Sequence, residues 1–157
     1  MTSGNFQNET HKAFVVLIYY SGVRSGEALR AEGKQFKITD KHLLFDVGKR
    51  LKHGIVTPPL PLPLALPFMD KLANLVERSD RDFKLFSFSP KTAYNIFDRL
   101  GYYPHFCRLN LITNFFLAGW TIPQVHSWTG LTLDALNFYI GLVDVTKMGD
   151  GLLNGAR

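Results

Sequence analysis

His105-Phe106-Cys107-Arg108 opens the stretch HFCRLNLITNFFLAGWTIPQVHSWTG (residues 105–130), and the punctuation of that stretch decides the fold. Apolar residues recur at helical spacing from His105 to Ala118, and Gly119 ends the run. Ile122-Pro123-Gln124 starts a second helix, where a proline in the first turn forfeits no hydrogen bond, and Thr129-Gly130 closes it. Thr132–Ile140 reads as a third helix and carries Tyr139. The last third of the chain is therefore helical, cut into segments by glycines. His105 and Arg108, three residues apart on the first of these helices, share a face and can converge on one group.

Upstream, Thr10–Tyr20 reads as a buried helix stopped at Ser21-Gly22, and Ser25–Ala31 as a short second helix with Ala28 and Leu29 inward. The period then changes to two. Phe36–Ile38, Leu43–Val47 and Gly54–Thr57 predict three short strands, with turns at 39–42 and 48–53. Pro58–Pro67 alternates proline with leucine, and because proline offers no ladder donor the expectation is an extended connector leaving the sheet. Leu64–Glu77 recovers helical spacing through Leu66, Met69, Leu72, Leu75 and Val76. Ser89-Pro90 caps and opens another helix, with Ala93, Ile96, Phe97 and Leu100 along one side. The expected fold class is α+β and mostly helical, about seven helices with a small three-stranded antiparallel sheet.

At 157 residues the chain suits one domain, expected over residues 10–142 between a flexible lead-in (1–9) and a C-terminal tail (143–157). The lead-in is read as the boundary of a domain cut from a longer protein. Hydrophobic residues at 46% and charged residues at 20% describe a globular protein rather than a disordered one. A net charge of +5 suits a polyanionic partner without identifying it. Cys107 is the only cysteine, which rules out an intrachain disulfide or a cysteine-built zinc site and fits a reducing, cytoplasmic setting. The longest apolar run, Ala13–Tyr20, is far shorter than the roughly 20 residues that span a bilayer. The N-terminus lacks a signal-peptide layout, so no membrane partner is expected.

Two arginines expected to be buried, Arg24 and Arg108, a histidine three residues before the second, and Tyr139 close to the C-terminus make a set suited to a phosphodiester. Attack on phosphorus concentrates negative charge on the non-bridging oxygens. Arginine is always charged and presents a planar fork of donors, so two of them clamp those oxygens. Preorganised donors of this kind are commonly worth about 2.7–4 kcal/mol each when removed. Tyrosine is a weak nucleophile at its ordinary pKa of about 10, so cationic neighbours must favour its phenolate. No acidic cluster with metal-ligand spacing is apparent, and the reaction so written needs neither metal nor nucleotide cofactor.

In order and spacing these residues resemble the catalytic domain of the tyrosine recombinase, or phage integrase, family. Gly22-Val23-Arg24-Ser25-Gly26-Glu27-Ala28-Leu29 is similar to its first-arginine motif, Gly48-Lys49 to its lysine-bearing hairpin turn, and His105-x-x-Arg108 to its His-x-x-Arg box. Gly119 and Gly130 fall 11 and 22 residues after Arg108, and Tyr139 falls 31 after it, where the family places its glycines and, within a residue, its nucleophile. The likeness covers essentially the whole chain. It implies a site-specific DNA recombinase in which Arg24, Lys49, His105 and Arg108 activate the scissile phosphate and Tyr139 attacks it. The products would be a covalent 3′-phosphotyrosine and a free 5′ hydroxyl, with Lys49, or Lys52 beside it, protonating the leaving oxygen. Arg50, Lys52, His53 and Lys91 would ride the DNA backbone. The implied partner is double-stranded DNA at an attachment site, bound by a homotetramer that is a monomer in isolation, with residues 143–157 as the segment exchanged between protomers. Prokaryotic or virus-infected cytoplasm is the implied setting.

The departure from the pattern is Leu131, directly after the second glycine, where the family usually has a phosphate-binding His or Trp. His126 and Trp128 on the preceding helix are the candidate substitutes, and a divergent branch such as integrases of archaeal viruses or plasmids is the expectation. Other readings stand beside this one. Taken singly, an arginine near Glu27 is ordinarily salt-bridged, a histidine on an apolar helix is a core residue, and Phe115, Phe116, Trp120 and Phe138 are core aromatics. Glu27 is read as structural and Cys107 as a small packing residue. A metal site from His42, His53 and His105 has no spacing to support it. A non-catalytic DNA-binding module on the same fold, or a type IB topoisomerase-like enzyme, remains open at this point.

Overall fold

The computed structural model describes residues 9–47, 58–101 and 104–142, and side chains for all of these except 104, 105 and 139–142. Elements run in the order α1 (Glu9–Ser21), α2 (Ser25–Arg30), β1 (Phe36–Ile38), β2 (His42–Phe45), β3 (Leu60–Pro63), α3 (Met69–Arg78), α4 (Pro90–Leu100), α5 (Pro104–Leu117), α6 (Ile122–Thr129) and α7 (Leu133–Leu142). This is the expected mostly helical α+β architecture, with seven α-helices and a three-stranded antiparallel sheet among the described residues. No helix among the described residues is long and apolar enough to cross a membrane.

α1 is the central element. Ala13 to Ile18 are all buried, so the helix is covered on every side rather than along one stripe. α3 packs Met69, Leu72 and Leu75 into the same cluster, and Phe14 meets Phe86, Phe88 and Phe97 edge-on. A smaller second cluster of Ile112, Val125, Leu131 and Leu136 joins α5, α6 and α7. Helix ends follow the sequence signals. Ser89 Oγ accepts the Thr92 N–H with Pro90 behind it, and Gly101 closes α4 in the left-handed region. At α6, Thr121 and Gln124 satisfy one another's backbone N–H groups.

The sheet departs from expectation in its third strand. Leu60–Pro63, read from sequence as part of a connector, is β3 and pairs with β2 in the register Phe45↔Leu60 and Leu43↔Leu62. The Leu64 N–H continues the ladder to the Lys41 carbonyl. Because N–H groups alternate sides along a strand, Leu60, Leu62 and Leu64 donate toward β2 while Pro61 and Pro63 turn their missing donors to the open edge. Alternation of proline and leucine is thus compatible with an edge strand, and the buried leucines fill the core face. The expected strand Gly54–Thr57 lies outside the described residues.

α3 also begins later than Leu64, at Met69. Pro67 disfavours helical backbone at Leu66, and residues 64–68 form successive turns, with Leu66 N–H on Pro63 and Met69 N–H on Leu66. Phe68 precedes the helix at φ 65, a left-handed conformation uncommon for an aromatic residue.

Candidate active site

The site grows from the end of α1. Gly22 terminates that helix at φ +73, its N–H donating to the Ile18 carbonyl, and sends the chain into a three-residue link to α2. A Cβ on Gly22 would stand 2.8 Å from Leu111 Cδ2, so α5 lies directly against the turn. Ser21 Oγ donates to the Leu17 carbonyl and accepts the Val23 N–H, holding the link from within. Glu27 reaches back from the first turn of α2 and accepts the Arg24 N–H at 3.1 Å. This is the structural role expected of Glu27.

Arg108, one helical turn into α5, projects under the same link. Its Nε donates to the Gly22 carbonyl at 2.7 Å, and its guanidinium comes within 4.0 Å of Glu27 Oε1. The residue is 4% exposed. The two arginine motifs, far apart in sequence, therefore meet through Gly22, Arg24, Glu27 and Arg108. Arg24 corrects one expectation: it is exposed at the start of α2, not buried. The arginines differ accordingly, one clasped beneath the link and one facing solvent from it. On the neighbouring turn of α5, Asn110 donates to the Tyr19 hydroxyl and ties the helix to α1 a second time.

His105 lies in the first turn of α5, three residues before Arg108, and Tyr139 lies on α7, three residues after the buried Leu136. Leu136 and Ile112 share the second cluster, so the helix bearing Tyr139 packs on the helix bearing Arg108. The side chains of His105 and Tyr139 are outside the described set, as are Lys49, Arg50, Lys52 and His53 altogether. Lys91, in the first turn of α4, is exposed.

Leu131 is 8% exposed and packs in the α5–α6–α7 cluster. It is a core residue at the position where the resemblance expects a donor. Its carbonyl is not idle: it faces His126 Nδ1 at 2.5 Å, and since a carbonyl only accepts, Nδ1 carries the proton and Nε2 is the ring nitrogen left to bond elsewhere. His126 and the backbone at 131 thus form one unit around the left-handed Gly130. Sequence reading named His126 but had no signal for this bond, which depends on how α6 ends. Trp128 instead packs edge-on to Phe115 and Trp120. Phe138, expected in the core, is 65% exposed.

Cys107 is buried beside Arg108, and burial pushes its thiol up to about 11, the behaviour of a packing residue rather than a nucleophile. Among the described residues no group of three or more His, Cys, Asp or Glu side chains is placed to hold a metal ion. Compared with protein-family models the chain matches none, and comparison with curated proteins likewise gives no match.

Proposed function

We propose that this chain is the catalytic domain of a tyrosine-type DNA recombinase, cleaving and rejoining DNA through a 3′-phosphotyrosine. The observation that carries the reading is the bond from Arg108 Nε to the Gly22 carbonyl, which joins the Arg24 turn to the His105–Arg108 helix. Two arginines at one corner give a fork of donors for one phosphate, with Arg24 on the solvent side where DNA would arrive. Tyr139 releases its hydroxyl proton to solvent and attacks phosphorus as the phenolate, the P–O5′ bond breaks, and the 5′ oxygen takes a proton from Lys49. The bond energy is retained in the phosphotyrosine, so a new 5′ hydroxyl reverses the step without a nucleotide.

The buried, apolar Leu131 favours a second reading, a DNA-binding module that has lost catalysis. A nicked duplex that traps the covalent intermediate separates the two. Wild type should give a protein–DNA band on a denaturing gel without divalent metal, and Tyr139→Phe should give none. A wild type that binds DNA and never forms the band would make the second reading the correct one.

A further inference from the structure

A groove of about 270 Å³ lies between β3 and α6. Its walls include Pro59 and Pro61 on one side and Trp120, Gln124, Ser127 and Trp128 on the other. Phe115 covers one face of Trp120 in a parallel stack at 4.0 Å and Trp128 meets the same indole at 72°, so both tryptophans that line the groove are held in place by aromatic contacts. The polar groups are already half committed. Gln124 Oε1 accepts the Thr121 N–H, so its amide NH2 is the end available, and Ser127 donates its hydroxyl to the Pro123 carbonyl, so its oxygen is left as an acceptor. The groove therefore offers aromatic and proline surface with one donor and one acceptor. An anion would want donors alone and an alkyl chain neither. A planar heterocycle with a mixed edge fits both requirements, and the volume, just under the range for drug-sized ligands, suits a single ring system.

We propose that this groove stacks one unpaired nucleobase of a bound DNA strand. The inference rests on the reading of DNA as the partner and adds a second contact of a different kind, to a base rather than to phosphate. Charge agrees with it. The chain carries +5, and Lys49, Arg50 and Lys52 precede Pro58 closely in sequence.

Both tryptophans of the chain line the groove, so intrinsic fluorescence reports its occupancy directly. The full chain with Tyr139→Phe, which cannot cleave, is titrated with a short labelled single strand and with an abasic strand of equal length and charge, following anisotropy and tryptophan emission together. The base-bearing strand should quench the emission by about half or more, and the abasic strand should bind without quenching. Ser127→Phe, which plugs the groove from an exposed position, should abolish the quench and weaken the base-bearing strand roughly tenfold, to the abasic level. Equal quenching by both strands would overturn the proposal, and so would binding of both with no quenching, although DNA would still be the partner. An emission change caused by deleting residues 143–157 without DNA would assign the groove to the chain's own C-terminus instead. Concentration-dependent emission without DNA would assign it to a second copy, and quenching by a proline-rich peptide but not by DNA to a peptide. Absence of any anisotropy change would remove the base site and the DNA reading together.

Discussion

Arg108 Nε sits 2.7 Å from the carbonyl oxygen of Gly22, a residue 86 positions earlier in the chain. The bond fixes the height of α5 against the link between α1 and α2, so the position of one motif is set by the other. A guanidinium used in this way is both a support and, in the proposed chemistry, a phosphate ligand. That double use can be taken apart experimentally.

Arg24→Ala and Arg108→Ala should differ in kind. Arg24 is exposed, so its loss should change stability by no more than about 0.5 kcal/mol while reducing covalent complex formation by roughly a hundredfold or more. Arg108→Ala leaves the Gly22 carbonyl short of a donor and opens space beneath the link, for a cost of about 1–3 kcal/mol. Urea unfolding measured beside the cleavage assay checks this. Equal destabilisation by both variants would show that Arg24, too, is a support.

Gly22→Ala carries two penalties, a left-handed backbone and a contact with Leu111 Cδ2 at 2.8 Å. The expected loss is about 1–3 kcal/mol. Only the contact depends on Leu111, so combining the change with Leu111→Ala should cost less than the sum of the two single changes. A double-mutant cycle by thermal unfolding measures the coupling, and strict additivity would mean that backbone conformation alone is responsible.

Cys107 gives a pH signature. Burial raises its thiol from the ordinary 9.0 to about 11, so the folded state favours the neutral form. This contribution is fully present below pH 9.0, and is lost as pH rises through the window from there to about 11, because the unfolded chain ionises first. Stability of wild type should therefore fall more steeply across that window than stability of Cys107→Ala. At neutral pH a thiol reagent should label the native protein only at the rate at which it opens. Fast labelling of the folded protein would contradict the burial.

Pro61 and Pro63 turn blank backbone toward the open side of β3. Replacing both with threonine restores two outward donors without touching Leu60 or Leu62. Folding stability should change little, and light scattering should show stronger concentration-dependent association than that of the native chain. Unchanged scattering would mean that the edge is protected by something other than proline.

Much of the fold is legible in the sequence because its helix ends are written locally. Ser89-Pro90, Gly22 and Gly130 each specify a helix end from a few residues, and each occurs where expected, while the structure adds Gly101 and the Thr121–Gln124 box. β3 was not legible in the same way. Proline announces a missing donor but not the side of the strand on which it is missing, and only pairing with His42–Phe45 settles that. The site divides along the same line. Residue types and spacing single out Arg24 and Arg108, yet the burial of one and the exposure of the other follow from how α5 docks under Gly22, a long-range contact with no local signal. Leu131 was visible as a departure, but its place in the second core and the His126 bond to its carbonyl depend on three helices meeting.

The register of the sheet has one last consequence. Phe45 faces Leu60, so the chain between them leaves the sheet and returns to it at directly opposed positions. The two ends of the 14-residue segment 46–59, in whose sequence Lys49 and Lys52 fall, are therefore held side by side by the ladder, and for a connection between ends so fixed each doubling of length costs only about 0.6 kcal/mol. A change of length between these two ends therefore carries a small entropic cost, and the ladder pairs from Phe45↔Leu60 onward and the bond from Arg108 to Gly22 are made wholly by residues outside the segment.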